Sequence, residues 1–199
     1  MTGPAVMHRF LPIIFACAGL CACVATPPPA PSPKSWSERM QELQQAQHWD
    51  LQGRAAGAVG SQGWQASLDW RQSAQVADVR LAGPLGAGAI GFKLTPGGLE
   101  FAAAAAGAAN PTEYLRQRLG FAPPLENLRY WLLGVPNPAQ VFEFTANGAG
   151  RAAELTQDGW TIDYGEYSGV GADVLPKRFT LRRDAVRVRI AVDHWNMSR

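Results

Sequence analysis

Three cysteines have the most distinctive chemistry in this sequence, and they lie close together. They are Cys17, Cys21 and Cys23, and no cysteine follows Cys23 in the 199-residue chain. The region after Cys23 therefore has no thiols from which to build an internal disulfide, a cysteine zinc site or a nucleophile. Thiol chemistry in this chain is confined to its amino-terminal segment.

The residues before these cysteines have the pattern of a secretory signal. His8 and Arg9 form a short basic segment, and residues 10–20 form an apolar run of eleven residues. A transmembrane helix needs about 20 apolar residues, whereas the core of a signal peptide has about 7–15. The run is therefore typical of a signal peptide and too short to span a bilayer.

The spacing before Cys23 indicates that this cysteine becomes lipidated. Leu20 stands three residues before Cys23 and the small Ala22 directly before it, which is the spacing of a bacterial lipobox. We predict a lipoprotein signal peptide over residues 1–22 and lipidation of Cys23. Residue 24 is Val and not the Asp that retains lipoproteins in the inner membrane, which favours the outer membrane. The alternative is an ordinary signal peptide with an incidental cysteine.

The residues after the lipobox are typical of a spacer. Prolines occupy positions 27, 28, 29, 31 and 33, and such a run favours an extended conformation of about 3.1 Å per residue. We therefore predict a lipidated, proline-rich tether over residues 23–34 and a folded domain over residues 35–199.

The folded region lacks the motifs of common catalytic and metal sites. The histidines are His8, His48 and His194, without metal-binding spacing, and no G-x-S-x-G motif or P-loop is present. Gly86 to Gly91 match G-x-G-x-x-G, but the residues that follow alternate like a strand, whereas a dinucleotide-binding loop opens a helix. The 18 Lys and Arg are too evenly matched by 16 Asp and Glu for a nucleic-acid-binding surface. The sequence predicts no catalytic residue, no metal, no cofactor and no nucleic-acid partner.

Apolar and polar residues alternate with a period of two over much of the domain. This pattern is typical of strands with one buried face, and turn spacings near ten residues favour one strongly curved antiparallel sheet or a barrel. The apolar positions are Trp64, Ala66, Leu68, Trp70, Val79, Leu81, Ile90, Phe92, Leu94, Leu99, Phe101, Trp160, Ile162, Tyr164, Phe179, Leu181, Val186, Val188, Ile190 and Val192.

Three segments have helical character. Residues 35–47 have one narrow apolar stripe and can begin with a capping box at Ser35. Residues 110–120 begin with Asn at the cap and Pro at the first position. Residues 125–133 form the third helical segment, and both of these segments lie between strands. The last two helices interrupt the strands as a lid across a barrel mouth would.

The seven Trp, eight Phe and four Tyr supply many large apolar side chains for a small barrel. These side chains can fill the interior as a dry core, or they can line a cavity for an apolar ligand. Packed cores are the more common outcome, and composition alone leaves both open.

Several sequence blocks resemble the LolB family of outer-membrane lipoprotein receptors. They are L-A-G-P-L-G (81–86), P-L-E-N-L-R-Y-W-L-L-G-V-P (124–136), G-W-T-I-D-Y-G-E-Y (159–167), L-P-K-R-F-T-L (175–181) and V-R-I-A-V-D-H-W (188–195). The lipobox and the tether match as well, and the block around N-L-R-Y-W-L-L-G is the most specific. One departure is the alanine-rich stretch 102–109, which is less polar than expected of a surface connection.

The resemblance implies a mainly β fold with helices, an incomplete, half-open antiparallel β-barrel with a helical lid over an apolar cavity. It implies a non-enzymatic function, in which the protein accepts acylated lipoproteins from a LolA-like periplasmic carrier and inserts them into the outer membrane. The expected partners are this carrier, the lipoprotein cargo and the outer membrane through Cys23, with a monomeric receptor facing the periplasm.

The resemblance also assigns roles to individual residues. Leu85, with Pro84 before it, matches the exposed leucine of the loop that aids membrane insertion. A turn leucine folded onto the core is the alternative. The side chains that could contact acyl chains are Leu68, Trp70, Ile90, Phe92, Leu128, Trp131, Leu132, Trp160 and Ile162. Ordinary core packing is the alternative for each of these nine.

Two other classes of protein compete with the receptor. One is a structural or assembly lipoprotein that has a filled core and binds a protein partner. The other is a lipidated hydrolase, which the absence of nucleophile motifs disfavours.

Overall fold

One antiparallel sheet dominates the computed structural model, which describes residues 2–3, 35–101, 110–169 and 174–198. Cys23, the tether over residues 23–34 and the alanine-rich stretch 102–109 lie outside the described residues. The strands of this sheet are β1 (His48–Val59), β2 (Gln62–Ser73), β3 (Val76–Ala82), β4 (Ile90–Thr95), β5 (Gly98–Phe101), β6 (Phe142–Ala146), β7 (Ala152–Gln157), β8 (Trp160–Ser168), β9 (Leu175–Arg183) and β10 (Val186–Met197).

The sheet does not close on itself. Its strand order is β5-β4-β3-β2-β1-β10-β9-β8-β7-β6, so β5 and β6 are the two edges and do not pair with each other. The first and last strands, β1 and β10, pair at the centre over eleven registered positions between Trp49 and Val59. The half-open antiparallel barrel expected from the sequence is confirmed.

The alternation of apolar and polar residues in the sequence corresponds to an alternation of buried and exposed side chains along the strands. In β2, Leu68 and Trp70 are buried, whereas Asp69 and Arg71, which alternate with them, are exposed. In β10, Val188 and its alternate neighbours are buried in the same way. One face of the sheet therefore forms the core, and the opposite face, which we call the outer face, is turned to water.

Three helices lie in the described part of the chain: α1 (Trp36–Gln44), α2 (Pro111–Leu119) and α3 (Leu125–Trp131). The capping box at the start of α1 forms as expected, because the Ser35 side chain accepts from the Glu38 backbone and the Glu38 carboxylate accepts from the Ser35 N–H. Asn110 caps α2, which ends at Gly120 in the left-handed conformation. None of the described helices has both the length and the apolar content needed to cross a membrane.

The sequence patterns gave no separate prediction for β1, β6 and β7. The first of these is rich in Ala and Gly, with Gly53, Ala55 and Gly57 at alternate positions, so that the contrast between apolar and polar residues is weak. Strand β6 is an edge strand whose side chains are mostly exposed, so it has no buried face to give a pattern. The helices also end two or three residues earlier than expected, α1 at Gln44 and α3 at Trp131.

Candidate functional site

An apolar cavity lies between the inner face of the sheet and the segment that contains α2 and α3. Its volume is about 70 Å³, and every side chain in its wall is aliphatic, aromatic or proline. The wall is formed by Ala55, Trp64, Leu68, Trp70, Val79, Leu81, Phe92, Leu119, Phe121, Pro123, Pro124, Leu125, Leu128, Leu132, Trp160, Leu181, Val188 and Ile190.

The size of this cavity decides what it can hold without movement. An apolar cavity of about 150 Å³ accommodates one benzene molecule. The cavity of about 70 Å³ is smaller than that and cannot contain a fatty acyl chain. A long apolar ligand therefore fits only if part of the wall moves outward.

Six of the nine side chains predicted to contact a ligand meet in this wall. Leu68, Trp70 and Phe92 come from the sheet strands β2 and β4, and Trp160 comes from β8. Leu128 and Leu132 contribute from the opposite side, one helical turn apart on α3 and its carboxyl-terminal cap.

The other three predicted side chains are buried but do not line the cavity. The side chains of Ile162 and Trp131 are fully buried, and Ile90 is nearly so. Ile162 lies opposite Leu155 and Leu181 in the sheet register, within the packed core. The Trp131 indole is directed to a polar cluster, because its Nε1 donates to Gln157 Oε1 at 2.8 Å. These three side chains belong to the packed core around the cavity and not to its wall.

Sequence reasoning missed part of the wall for two different reasons. Trp64, Val79 and Leu81 share the buried alternation of β2 and β3, so this pattern could have identified them as cavity residues. The residues from Phe121 to Pro124 lie in a loop, where no periodic pattern exists to show which side chains face inward.

A glycine makes room for one of the missed side chains. Gly57 lies opposite Trp64 in the β1–β2 register, and a Cβ atom on Gly57 would stand 2.3 Å from the Trp64 ring. No other residue type leaves space for this ring. The indole Nε1 of Trp64 then donates to the carbonyl oxygen of Leu119 at the end of α2, at 3.1 Å.

A buried amide attaches α3 to the sheet. The Gln157 Oε1 atom accepts from Trp131 Nε1 at 2.8 Å and from the Asn137 backbone N–H at 2.9 Å. Its Nε2 group donates to the carbonyl oxygens of Asn137, at 2.9 Å, and Gln140, at 3.3 Å. One side chain at the end of β7 thus joins the helix and the loop that follows it.

Three further hydrogen bonds, two at Asn127 and one from Tyr164, extend this attachment along α3. Asn127 accepts from Asn137 Nδ2 at 2.8 Å and donates to the Asp158 carboxylate at 3.2 Å. Tyr164 donates its hydroxyl to the Trp131 carbonyl oxygen at 2.9 Å, and burial raises the pKa of this phenol well above its usual value. Helix α3 therefore has a cavity side, with Leu128 and Leu132, and a polar side bonded to β7 and β8.

Among the residues that the structure describes, α2 makes fewer hydrogen bonds to the sheet than α3 does. Apart from the Trp64–Leu119 hydrogen bond, the Tyr114 ring makes an edge contact with Phe101 of β5, with ring centroids 5.1 Å apart. Glu113 interacts within the helix, where hydrogen bonds from Arg116 and then Gln117 lower the pKa of its carboxyl to about 2. The wall made by the end of α2 and the loop to α3 is thus held by fewer hydrogen bonds than the wall made by α3, while Leu115 of α2 is fully buried in the core.

The predicted insertion loop presents its leucine to water. Leu85 is fully exposed and sits between Pro84 and Gly86 in a short 3₁₀ turn after β3. Its φ and ψ angles are 57° and 24°, the left-handed region, which is unfavourable for a residue with a side chain. The turn leucine is therefore not folded onto the core, and this loop keeps a large apolar side chain exposed at a cost in backbone strain.

Comparisons with known proteins agree on one family. Residues 47–195 match the family model described as outer membrane lipoprotein LolB. The chain is 32% identical over 185 residues to the outer-membrane lipoprotein LolB of Nitrosococcus oceani, covering 89% of this chain and 92% of that protein. It is 32% identical over 166 residues to the outer-membrane lipoprotein LolB of Pseudomonas putida strain W619, covering 82% of this chain and 81% of that protein.

A solved structure shares the fold at low sequence identity. The LolA superfamily protein NE2245 from Nitrosomonas europaea superposes with a TM-score of 0.52 and 6% identity, covering 83% of this chain and 94% of that chain. This likeness supports the half-open sheet with helices on its inner side.

The tryptophans allow a direct test of cavity occupancy. Trp64, Trp70 and Trp160 line the cavity, whereas Trp36 stacks on Phe144, outside it. We expect a nitroxide-labelled stearate to quench the intrinsic fluorescence, and Trp70→Phe to reduce the quenched signal by about one third, since Trp70 is one of three wall tryptophans.

The matched control is Trp36→Phe, which should leave the quenched signal unchanged. An equal reduction by both variants would place the label outside the cavity.

Proposed function

The chain belongs to the LolB family, and from this premise we propose that it is an outer-membrane lipoprotein that accepts acylated lipoproteins from a LolA-like carrier and inserts them into the outer membrane. The reaction is a transfer of acyl chains between three apolar environments and involves no covalent chemistry. Membership of this family does not favour the alternative hypothesis, a structural or assembly lipoprotein with a filled core.

The apolar cavity beneath α3 is the observation that best supports this function. Exposure of an acyl chain to water costs about 0.8 kcal/mol for each methylene group, so a carried chain has to be shielded throughout. Among the described residues, the wall of this cavity contains no charged side chain, and it places three tryptophans and several leucines around one space.

We propose that cargo enters by movement of the end of α2 and the loop to α3. The cavity of about 70 Å³ has to enlarge, and among the described residues one of its walls has fewer hydrogen bonds to the sheet than the other. Helix α3 is bonded to the sheet through Gln157 and Asp158, whereas Leu119 at the end of α2 is bonded through the single indole of Trp64. The movable wall contributes Phe121, Pro123 and Pro124.

Delivery to the membrane uses the exposed loop. A fully exposed Leu85 on a strained turn can enter the apolar part of a bilayer without unfolding any packed element. This brings the cavity near the membrane, where the acyl chains of the cargo find a larger apolar phase.

We further propose that Cys23 carries the lipid anchor and that the domain acts as a monomer facing the periplasm. Twelve tether residues in an extended conformation reach roughly 35 Å at about 3.1 Å each. This length lets the domain turn toward the carrier and toward the membrane while it stays anchored.

Cargo transfer without a nucleotide is the decisive experiment. Purified carrier loaded with a lipoprotein is mixed with this protein in the absence of ATP, and cargo is followed by co-purification and by appearance in vesicles. We expect the wild-type chain to take cargo from the carrier and to deliver it to the vesicles. Leu85→Glu should accept cargo normally but deliver it at least tenfold more slowly, because a carboxylate opposes entry into the bilayer.

A second exposed apolar residue provides the control for this substitution. Val141 is 91% exposed and precedes β6, so Val141→Glu introduces the same charge elsewhere and should not change delivery. Failure of the wild-type chain to take cargo from the carrier contradicts the function, whereas normal delivery by Leu85→Glu removes only the role of the loop.

The movement of α2 is tested with two pairs of cysteines in the processed chain carrying Cys23→Ala. A short bis-maleimide across Phe101→Cys and Tyr114→Cys should fix α2 to β5 and reduce cargo uptake severalfold, because the wall cannot move. The same bridge across Asn127→Cys and Asp158→Cys should leave uptake unchanged, because this side of α3 already stays in place. Each pair is compared with itself before cross-linking, and inhibition by the second bridge alone would show that α3 is the moving wall.

The anchor is tested by metabolic labelling with radioactive palmitate. Cys23→Ala should abolish the label, since the lipidated thiol is absent, and Cys21→Ala should retain it. Label that persists in Cys23→Ala would disprove the assignment of the lipidated residue.

A further inference from the structure

A wide groove crosses the outer face of the sheet, on the side opposite the acyl-chain cavity. Its volume is about 1000 Å³, and it extends from the loop containing Leu85 across β2, β1, β10 and β9 to β8. The proposed function does not use this surface apart from Leu85.

Positive charge predominates in the walls of this groove. Arg54, Arg178 and Arg189 line it, and Asp163 is the one acidic residue among the lining residues that the structure describes. Asp163 is paired with Arg182 at 2.8 Å, a residue of the same strand as Arg178. The groove therefore offers more guanidinium groups than its own carboxylate can neutralise.

The three arginines differ in how far they are neutralised. Arg54 pairs with Asp193 at 3.0 Å and Arg178 pairs with Glu166 at 3.0 Å, and all four side chains are substantially exposed. Arg189 forms no ion pair with any residue in the described ranges. Its cross-strand neighbours are Thr180 and Ala56, neither of which has a charge to offer.

The positive charge of the whole chain is concentrated beside this groove. The hairpin formed by β9 and β10, residues 175–197, contains six Lys and Arg against two Asp, whereas the whole chain has a net charge of +2. Arg182 and Arg187 stand directly opposite each other in the hairpin register. Like charges in such positions are unfavourable, and within the described ranges Asp163 pairs only with Arg182, so an anion beside Arg187 would further relieve the repulsion.

The surface between the arginines is formed by residues with small side chains. Ala56, Ala66, Ala191 and Gly165 line the floor, and the described lining includes no exposed aromatic side chain. Protein–protein interfaces depend on aromatic anchors that fill pockets of the partner, and this groove provides none. Small residues instead allow an anion to approach the guanidinium groups closely.

Leu85 stands at the rim of the same groove. A protruding apolar side chain beside a set of cations is the combination that binds the surface of an anionic bilayer, with the leucine among the acyl chains and the cations among the phosphates. We infer that the arginine groove on the outer face binds anionic phospholipid headgroups, with Arg189 and Arg178 as the main phosphate contacts. Guanidinium groups are suited to this contact because they bind phosphate oxygens in a bidentate way.

This inference deepens the proposed function, because it assigns the outer face to the membrane while the inner face carries cargo. Its test contains no cargo and no carrier, so its failure and the failure of cargo transfer are distinguishable. The probe is a vesicle of phosphatidylcholine with one third phosphatidylglycerol, compared with a vesicle of phosphatidylcholine alone.

Binding is measured by flotation of the processed chain, residues 23–199 with Cys23→Ala, at low and at high salt. We expect stronger binding to the vesicles containing phosphatidylglycerol, and a loss of this preference at high salt. The double substitution Arg178→Gln with Arg189→Gln should weaken binding to these vesicles about tenfold, since each arginine near an anionic surface adds roughly fivefold to binding and Arg178 is partly neutralised. Lys177 remains paired with Glu166 at 3.1 Å in this variant, so the carboxylate is not left alone.

The matched control removes the same charge from another surface. Arg116→Gln on α2 with Arg129→Gln on α3 changes the net charge equally and should alter vesicle binding less than twofold. Equal losses in the two double variants would overturn the inference, because binding would then follow net charge alone. Unchanged vesicle binding in the groove variant would also overturn it, because the two arginines would then make no contact with the headgroups.

Discussion

The side chain of Gln157 is the connection on which the arrangement of the site depends. Its amide uses both oxygen acceptor positions and both N–H donors, joining Trp131, Asn137 and Gln140 to the end of β7. Loss of this amide would leave the buried indole and the Asn137 N–H without partners, at about 1–3 kcal/mol for each group. Because the amide is satisfied on all sides, α3 can present Leu128 and Leu132 to the sheet at a fixed distance, which is what the proposed movement of the opposite wall requires.

The two periodicities of the sequence explain how much of this could be predicted. Alternation with a period of two correctly placed the inner faces of β2, β4 and β8, and the caps at Ser35 and Asn110 correctly placed the starts of two helices. Six of the nine predicted contact residues consequently reach the cavity wall. A strand pattern indicates which face is buried, but it does not distinguish a side chain that borders a cavity from one packed beneath it. The pattern therefore predicts a ligand contact for Ile90 and Ile162 as well as for Phe92, although only Phe92 lines the cavity.

The features that escaped prediction depend on contacts between distant parts of the chain. Trp131 is apolar in composition, and its direction is decided by Gln157, which lies 26 positions later. The loop around Phe121 has no regular structure, so the inward direction of its side chains follows from packing alone. The outer groove escaped notice because Arg54 and Arg189 are ordinary exposed strand residues in the sequence, and only the pairing of β1 with β10 brings them to one surface.

The small volume of the cavity bears on the direction of transfer in the proposed mechanism. When an acyl chain leaves, the apolar side chains close on one another and regain the dispersion contacts that an empty space would forgo. This contraction stabilises the empty receptor, so it favours release and opposes uptake by the same free energy. Uptake then requires a ligand whose methylene groups, at about 0.8 kcal/mol each, outweigh the contraction. A lipidated cysteine with several long chains meets this requirement and a short apolar molecule does not, so the cavity can select acylated cargo by the quantity of buried hydrocarbon, without any polar group for recognition.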